Sequence, residues 1–173
     1  MLLKEYLEHS VDDKLDYFFS TLSVTNRTPE YYVNWDKVRR ETKAFELELH
    51  TLNYLIGKEN IYSEALRLFQ KQPQLLKAIP SLIASREKIL DILFFDVDDI
   101  MNFYQLDFKN IDSSQLGKYV DFMKDAGLLE FLQKDANRSL VDYVYGVEAG
   151  LDSNARKNRS GTTMENILER NVE

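Results

Sequence analysis

Apolar residues recur every three or four positions along most of this chain, which is the spacing of an amphipathic helix. In the first such stretch Leu3, Leu7, Val11, Leu15 and Phe18 fall on one stripe, and we expect that stripe to be buried. Further stripes follow, and glycine or proline stands near most of their ends. We predict helices over 2–22, 36–56, 61–72, 80–91, 115–126, 128–132 and 138–150. The pattern therefore predicts a mainly α fold.

Individual residues fix several of these boundaries. Gly57 is suited to a left-handed cap after the second helix, and Pro73 stops the third. Ser113 is a good N-cap for the helix over 115–126. Helical periodicity fails over 92–108, where apolar and polar residues alternate loosely. A short strand and an extended loop both fit that stretch.

Composition narrows the class of protein. The chain has 173 residues, 44% of them hydrophobic, which is enough for one substantial core and excludes a disordered protein. It has no apolar run near the roughly 20 residues that a membrane helix needs. The absence of cysteine excludes disulfides and zinc–thiolate sites and fits a reducing compartment. Because the first residues also lack a signal-peptide pattern, we predict a cytoplasmic protein.

Positive charge is concentrated in one segment of an otherwise acidic chain. The formal net charge is −7, yet 151–160 holds three basic residues against one acidic residue. A further helix is predicted to start at about 161. The basic and carboxamide side chains that precede it are Asn154, Arg156, Lys157, Asn158 and Arg159. Guanidinium, ammonium and helix N–H groups suit phosphate, and Asn and Arg can read base edges. A solvated basic turn is the alternative interpretation.

A carboxylate follows this segment one helical turn later. Glu165 and Glu169 would project from one face of the last predicted helix. A helical glutamate behind a cationic loop could hold a divalent cation at a phosphate, since hard cations choose oxygen ligands. The helix dipole alone also favours acidic residues in a first turn. A second acidic cluster, Asp96, Asp98 and Asp99, lacks the spacing of an EF-hand loop and fits solvated acids better.

Four segments carry a resemblance to a known family. They are 32–38, 52–58, 79–86 and 147–165, and they occur in that order along the chain. The last runs from Val147 through the basic segment to Glu165. In these segments the chain resembles the DpnII/MboI-type restriction endonucleases.

The resemblance implies a type II restriction endonuclease that hydrolyses duplex DNA at GATC with Mg²⁺. It also implies an adenine methyltransferase that protects the same site in the host without direct contact, and it allows a homodimer acting on a palindrome. The implied architecture is a helical domain over 1–150. Residues 151–173 would form the signature loop and the first helix of a truncated PD-(D/E)xK-like α/β nuclease core.

Residue roles follow from the same resemblance. Glu165 would be the catalytic acid beside the metal, and Arg156, Lys157, Asn158, Arg159 and Asn154 would contact DNA phosphates or bases. Members of the family are longer, and their other metal-binding carboxylates would lie beyond residue 173. We therefore expect this chain alone to bind DNA feebly and to cleave nothing.

A second hypothesis belongs to another class of protein. Aromatic residues at Tyr31, Tyr32 and Trp35 could anchor a partner protein or a second copy. The chain would then be a helical interaction module without catalysis.

Overall fold

The computed structural model describes residues 9–21, 31–136 and 139–155. The chain divides into two compact units, one comprising Met1–Val33 with Ser153–Glu173 and the other Asn34–Asp152. In the first unit α1 covers Val11–Thr21, the described part of the helix predicted over 2–22. Ser10 starts this helix, because its hydroxyl oxygen accepts a hydrogen bond from the Asp13 N–H at 3.1 Å. The expected burial of Val11 and Leu15 is wrong, since their exposed fractions are 71% and 47%.

The second unit is mainly helical, as the periodicity predicts. Its helices are α2 (Trp35–Lys43), α3 (Glu46–Leu52), α4 (Ile61–Lys71), α5 (Ile79–Leu82), α6 (Leu116–Asp125), α7 (Leu128–Glu130) and α8 (Leu140–Asn154). Short 3-10 turns lie at Asn53–Leu55, Pro73–Ala78 and Ser113–Gln115, and a π-helical turn lies at Phe131–Asp135. No helix among 9–21, 31–136 and 139–155 is long and apolar enough to span a membrane.

The helix predicted over 36–56 is interrupted once. Phe45 leaves the helical region with φ −126° and ψ 18°, which separates α2 from α3. The Lys88 ammonium lies 4.4 Å from the centre of the Phe45 ring, a cation–π contact that holds the ring in place. The α-helix ends at Leu52, and a 3-10 turn over Asn53–Leu55 continues it toward Gly57. The predicted left-handed conformation of Gly57 is confirmed by its φ of +72°, and its N–H donates to the Leu132 carbonyl at 3.1 Å.

A β-hairpin replaces the end of the helix predicted over 80–91. That helix, α5, already ends at Leu82, and Ala84 turns the chain with a φ of +57°. Strands β1 (Ile89–Phe95) and β2 (Met101–Asp107) then pair antiparallel, with Ile89 opposite Asp107 and Phe95 opposite Met101. A strand within 92–108 is thus confirmed, but two strands form where one was expected, and β1 begins three residues inside the segment predicted as helix.

The base of the hairpin is anchored in the core of the second unit. Leu106 and Phe108 are 2% and 1% exposed. The Phe108 ring packs edge-on against Tyr119 of α6, with ring centres 5.2 Å apart. The Tyr119 hydroxyl donates to the Asp107 carbonyl at 2.9 Å. The hairpin therefore has a fixed base and a distal half that extends beyond these contacts.

Asp112, rather than the predicted Ser113, caps the segment that leads into α6. Its carboxylate accepts hydrogen bonds from the Ser114 N–H at 2.9 Å and the Ser114 hydroxyl at 2.6 Å. These bonds hold the pKa of the Asp112 carboxyl below its ordinary value.

Replacing Asp112 by alanine should lower the thermal midpoint of unfolding at neutral pH. Because the folded-state pKa is lowered, this stabilisation is present above the unfolded value of 3.8 and is lost as the pH falls through the folded value. Thermal scans across that range should therefore show the two melting curves converging in acid. Ser113→Ala is the matched control and should leave the midpoint unchanged; equal effects of the two substitutions would contradict the assignment of the cap.

Candidate nucleic-acid interface

The structure describes the approach to the predicted site rather than the site itself. Asn154 is the last residue of α8 and is exposed. The other predicted site residues lie outside the described residues: Arg156, Lys157, Asn158, Arg159 and Glu165. The described part of the candidate interface is therefore α8, the helix that precedes the basic segment in the sequence.

Two buried carboxylates hold the second half of α8. Glu148 and Asp152 are one helical turn apart and are only 4% and 1% exposed. Burying a carboxylate is costly unless it is paired and hydrogen-bonded. The negative charge of each carboxylate must therefore be balanced by a basic group or by hydrogen-bond donors from another part of the chain.

Asp152 is neutralised at the start of α2. One carboxylate oxygen accepts the Asn34 N–H at 2.9 Å, and the other lies 3.7 Å from the Lys37 ammonium. Asn34 is itself the N-cap of α2, because its side-chain oxygen accepts the Lys37 N–H at 3.0 Å. The end of α8 and the beginning of α2 are thus joined by one hydrogen-bonded group.

Glu148 is neutralised from the segment between α5 and β1. The Arg86 guanidinium donates to its carboxylate at 2.9 Å. Lys88 lies nearby, and burial lowers the pKa of its ammonium against the opposing attraction of Glu148 and Glu41. Arg86 and Lys88 were predicted inside a helix. In the structure both lie in the segment that connects α5 to β1, and Lys88 immediately precedes the strand.

Further contacts fix the rest of α8. The Trp35 ring stacks on Tyr145 with ring centres 6.1 Å apart and an interplanar angle of 12°. At the helix start the Leu140 N–H donates to the Asn53 side-chain oxygen at 2.9 Å. Trp35, one of the aromatic anchors of the interaction-module hypothesis, is therefore used in an intramolecular contact.

These contacts join three of the resembling segments to α8, and two of them reach the beginning of the fourth segment at Glu148 and Asp152. Asn34 belongs to 32–38, Asn53 to 52–58 and Arg86 to 79–86, and each bonds to a residue of α8. Local sequence reasoning assigned no role to Glu148 and Asp152. The available signal was the pair of acids at i and i+4 on a helix that is otherwise mostly apolar. Their contacts fix the second half of α8.

The acidic cluster in the hairpin turn has a structural role. The Asp96 carboxylate accepts the N–H groups of Asp98 and Ile100, both at 3.0 Å, and an Asn102 amide hydrogen at 2.9 Å. Within the described ranges, no three side chains of His, Asp or Glu are grouped so that they could hold a metal ion.

Comparison with known proteins agrees with the resemblance. The family model for the DpnII restriction endonuclease matches residues 14–173. The chain is 69% identical to the type II restriction enzyme LlaDCHI of Lactococcus lactis subsp. cremoris, over 99% of this chain and 57% of that protein. It is 38% identical to the type II restriction enzyme DpnII of Streptococcus pneumoniae, over 91% of this chain and 53% of that protein.

A third relative has the same identity to the chain as DpnII. The chain is 38% identical to the type II restriction enzyme MjaIII of Methanocaldococcus jannaschii, over 91% of this chain and 54% of that protein. The chain thus spans little more than half the length of the curated relatives it matches. No solved structure matches it. On the family match and these identities, the chain belongs to the DpnII restriction endonuclease family.

Proposed function

We propose that this chain is the helical part of a type II restriction endonuclease that hydrolyses phosphodiester bonds of duplex DNA at GATC. The observation that carries the proposal is the family match over 14–173, together with relatives that are named type II restriction enzymes. GATC is the site cut by the DpnII/MboI-type enzymes that the sequence resembles. In this proposal 1–150 form the helical domain, and 151–173 begin a PD-(D/E)xK-like nuclease core.

The DNA contacts of the proposal lie immediately after α8. Arg156 and Lys157 follow the buried Asp152 by four and five residues, and Asn154, Asn158 and Arg159 complete the set. The Asp152 and Glu148 contacts support this assignment because they fix the helix that leads into the segment. The net charge of −7 is compatible with one positive face.

The metal is a separate part of the proposal. Glu165 is proposed as one ligand of Mg²⁺ and as the catalytic acid beside it, where the ion would supply charge stabilisation at the scissile phosphate. The described carboxylates nearest in sequence do not fit that role, because Glu148 is engaged by Arg86 and Asp152 by Lys37 and Asn34. Among the described residues, no group of three His, Asp or Glu side chains could hold a metal ion either.

The partners follow from the palindromic site. A two-fold sequence fits a two-fold protein, so a homodimer on duplex DNA is proposed. A cognate adenine methyltransferase would act on the same sequence without contact with this chain.

Substitutions in the basic segment test the DNA contacts. Each phosphate contact releases counterions, so Arg156→Ala and Arg159→Ala should each weaken binding to a GATC duplex and reduce the slope of log K against log salt by about 1. Fluorescence anisotropy with a labelled duplex at several salt concentrations measures both quantities. Lys124→Ala, an exposed lysine of α6, is the matched control and should leave the slope unchanged. If all three variants had the same slope as the parent chain, the assignment would fail.

The same duplex tests the expected lack of cleavage. With Mg²⁺ present, we expect the 173-residue chain to leave both methylated and unmethylated GATC duplexes intact. Selective cleavage of the unmethylated duplex would contradict that expectation while supporting the GATC specificity.

A further inference from the structure

A groove lies between the β-hairpin and α6. The apolar residues that line it come from both elements and include Ile92, Phe94, Tyr104, Phe122 and Ala126. Its volume is about 610 Å³, within the range of roughly 300 to 1,000 Å³ that is typical of ligand sites. We refer to this space as the hairpin groove. Phe94 packs edge-on against Tyr104, with ring centres 5.7 Å apart, and is still 42% exposed. The described residues therefore leave part of an aromatic surface uncovered.

The hairpin groove continues past the end of α6. Ala126, the residue that follows this helix, also lines a second cavity of about 390 Å³. Leu82 of α5, Ala84 and Leu128 of α7 lie around that cavity. Because Ala126 borders both spaces, they adjoin along the end of α6. An elongated, open space of this kind suits a segment of polypeptide better than a compact small molecule.

The α6 side of the hairpin groove carries two carboxylates one helical turn apart. Asp121 and Asp125 are both exposed and line the groove. The Asp121 carboxylate accepts the Tyr62 hydroxyl at 2.8 Å, whereas the Asp125 carboxylate has no ion pair or hydrogen bond with any described residue. Asp125 is also the last residue of α6, where the helix dipole disfavours a negative charge. A cation from outside the groove would stabilise both carboxylates.

The other charged groups near the hairpin groove do not remove this negative excess. Lys118 is the basic side chain among the described lining residues, and its charge also acts on the Asp112 carboxyl. At the hairpin turn, the Asp96 carboxylate accepts an amide hydrogen from Asn102, the residue opposite Phe94, at 2.9 Å. A third carboxylate therefore lies at the end of the groove that Phe94 occupies.

We propose that the hairpin groove binds a polypeptide segment that combines an apolar anchor with lysine or arginine side chains. The anchor packs on Phe94 and Tyr104, and a basic side chain of the segment pairs with Asp125 and Asp121. The same groove of a second copy would bring carboxylates against carboxylates, and a nucleic-acid backbone would be repelled in the same way. The proposal therefore concerns a surface separate from the DNA contacts and does not depend on them.

A pair of peptides provides the first test. The probe is the fluorescein-labelled peptide Gly-Lys-Leu-Phe-Arg-Leu-Lys-Gly, and its control has glutamate in place of each lysine and arginine. Fluorescence anisotropy with the 173-residue chain should show saturable binding of the basic peptide and a dissociation constant at least about tenfold higher for the acidic peptide. Failure of the basic peptide to bind overturns the proposal, and so does equal binding of the two peptides.

Substitutions on the chain locate the binding. Asp125→Lys and Phe94→Ser should each raise the dissociation constant of the basic peptide at least about fivefold. Asp91→Lys makes the same charge change and Phe95→Ser the same apolar change, but both residues are exposed and lie outside the groove, so these matched controls should bind like the parent chain. Far-UV circular dichroism checks that all four variants fold. Equal effects of the groove variants and their controls would show unspecific attraction to an acidic chain and overturn the proposal.

Sedimentation of the chain without peptide tests the competing occupant. Any self-association should be unchanged by Phe94→Ser, because the partner of the groove is a basic segment rather than a second copy. Self-association that Phe94→Ser or Asp125→Lys abolishes would place a second copy in the groove and overturn the proposal.

Discussion

Replacing Asp152 by alanine should reduce the free energy of unfolding by about 2 to 3 kcal/mol. The substitution removes the acceptor of the Asn34 N–H and the carboxylate beside the Lys37 ammonium. An N–H group that loses its partner in a partly buried position bears most of the desolvation cost. Lys37 is 35% exposed at its side chain and can turn toward water, which keeps the loss below that of a fully buried pair.

Urea denaturation of the chain measures this loss, and two variants separate its causes. Asp152→Asn keeps an oxygen for the Asn34 N–H but removes the charge, so it should lose less than Asp152→Ala. Asp36→Ala removes an aspartate whose side chain is 91% exposed and paired with Arg39, and it should be close to neutral. If Asp152→Ala were as mild as Asp36→Ala, the carboxylate would not fix the end of α8.

Boundaries set by a single residue could be predicted from the sequence. Pro73 ends α4 because it cannot continue the backbone hydrogen bonding of that helix, and Gly57 takes a left-handed conformation that other residues rarely adopt. Both effects are local, so neighbouring residues are sufficient to reveal them.

The sequence predicted at most one short strand within 92–108, and the pairing of two strands into a hairpin was missed because its signals are weak. Ala84 turns the chain with a positive φ, which the sequence does not indicate because alanine rarely takes that conformation. Residues 89–95 are apolar except for Asp91, and such a short run fits a buried helix and a strand equally well. The partner strand decides between them, and that pairing depends on residues up to 18 positions away, from Ile89 to Asp107.

The contacts that fix α8 join residues that are still farther apart in the sequence. Asn34 and Asp152 are 118 residues apart, and Arg86 and Glu148 are 62 apart. Periodicity and spacing within a window cannot reveal such pairs. The basic segment was visible because its residues are consecutive, whereas the groups that fix α8 became visible only in three dimensions.

The Arg86–Glu148 pair allows the cost of an unpaired buried charge to be measured directly. Arg86→Ala leaves the Glu148 carboxylate, 6% exposed at its side chain, without its guanidinium, and should cost about 3 kcal/mol. Glu148→Ala leaves a guanidinium that is 42% exposed and reaches water, so it should cost less. The double variant should lose less free energy of unfolding than the two single variants lose together. The difference, the coupling energy, should be about 1 to 3 kcal/mol.

Urea denaturation of the parent chain, the two single variants and the double variant completes this cycle. Arg39→Ala is the matched arginine control, because its side chain is 61% exposed and its ion pair with Asp36 lies at the surface. Additive losses would show that Arg86 and Glu148 act independently despite their 2.9 Å contact. Coupling together with a milder Glu148→Ala would instead show that Arg86 neutralises a carboxylate that α8 buries, and that this pair fixes α8 against the segment between α5 and β1.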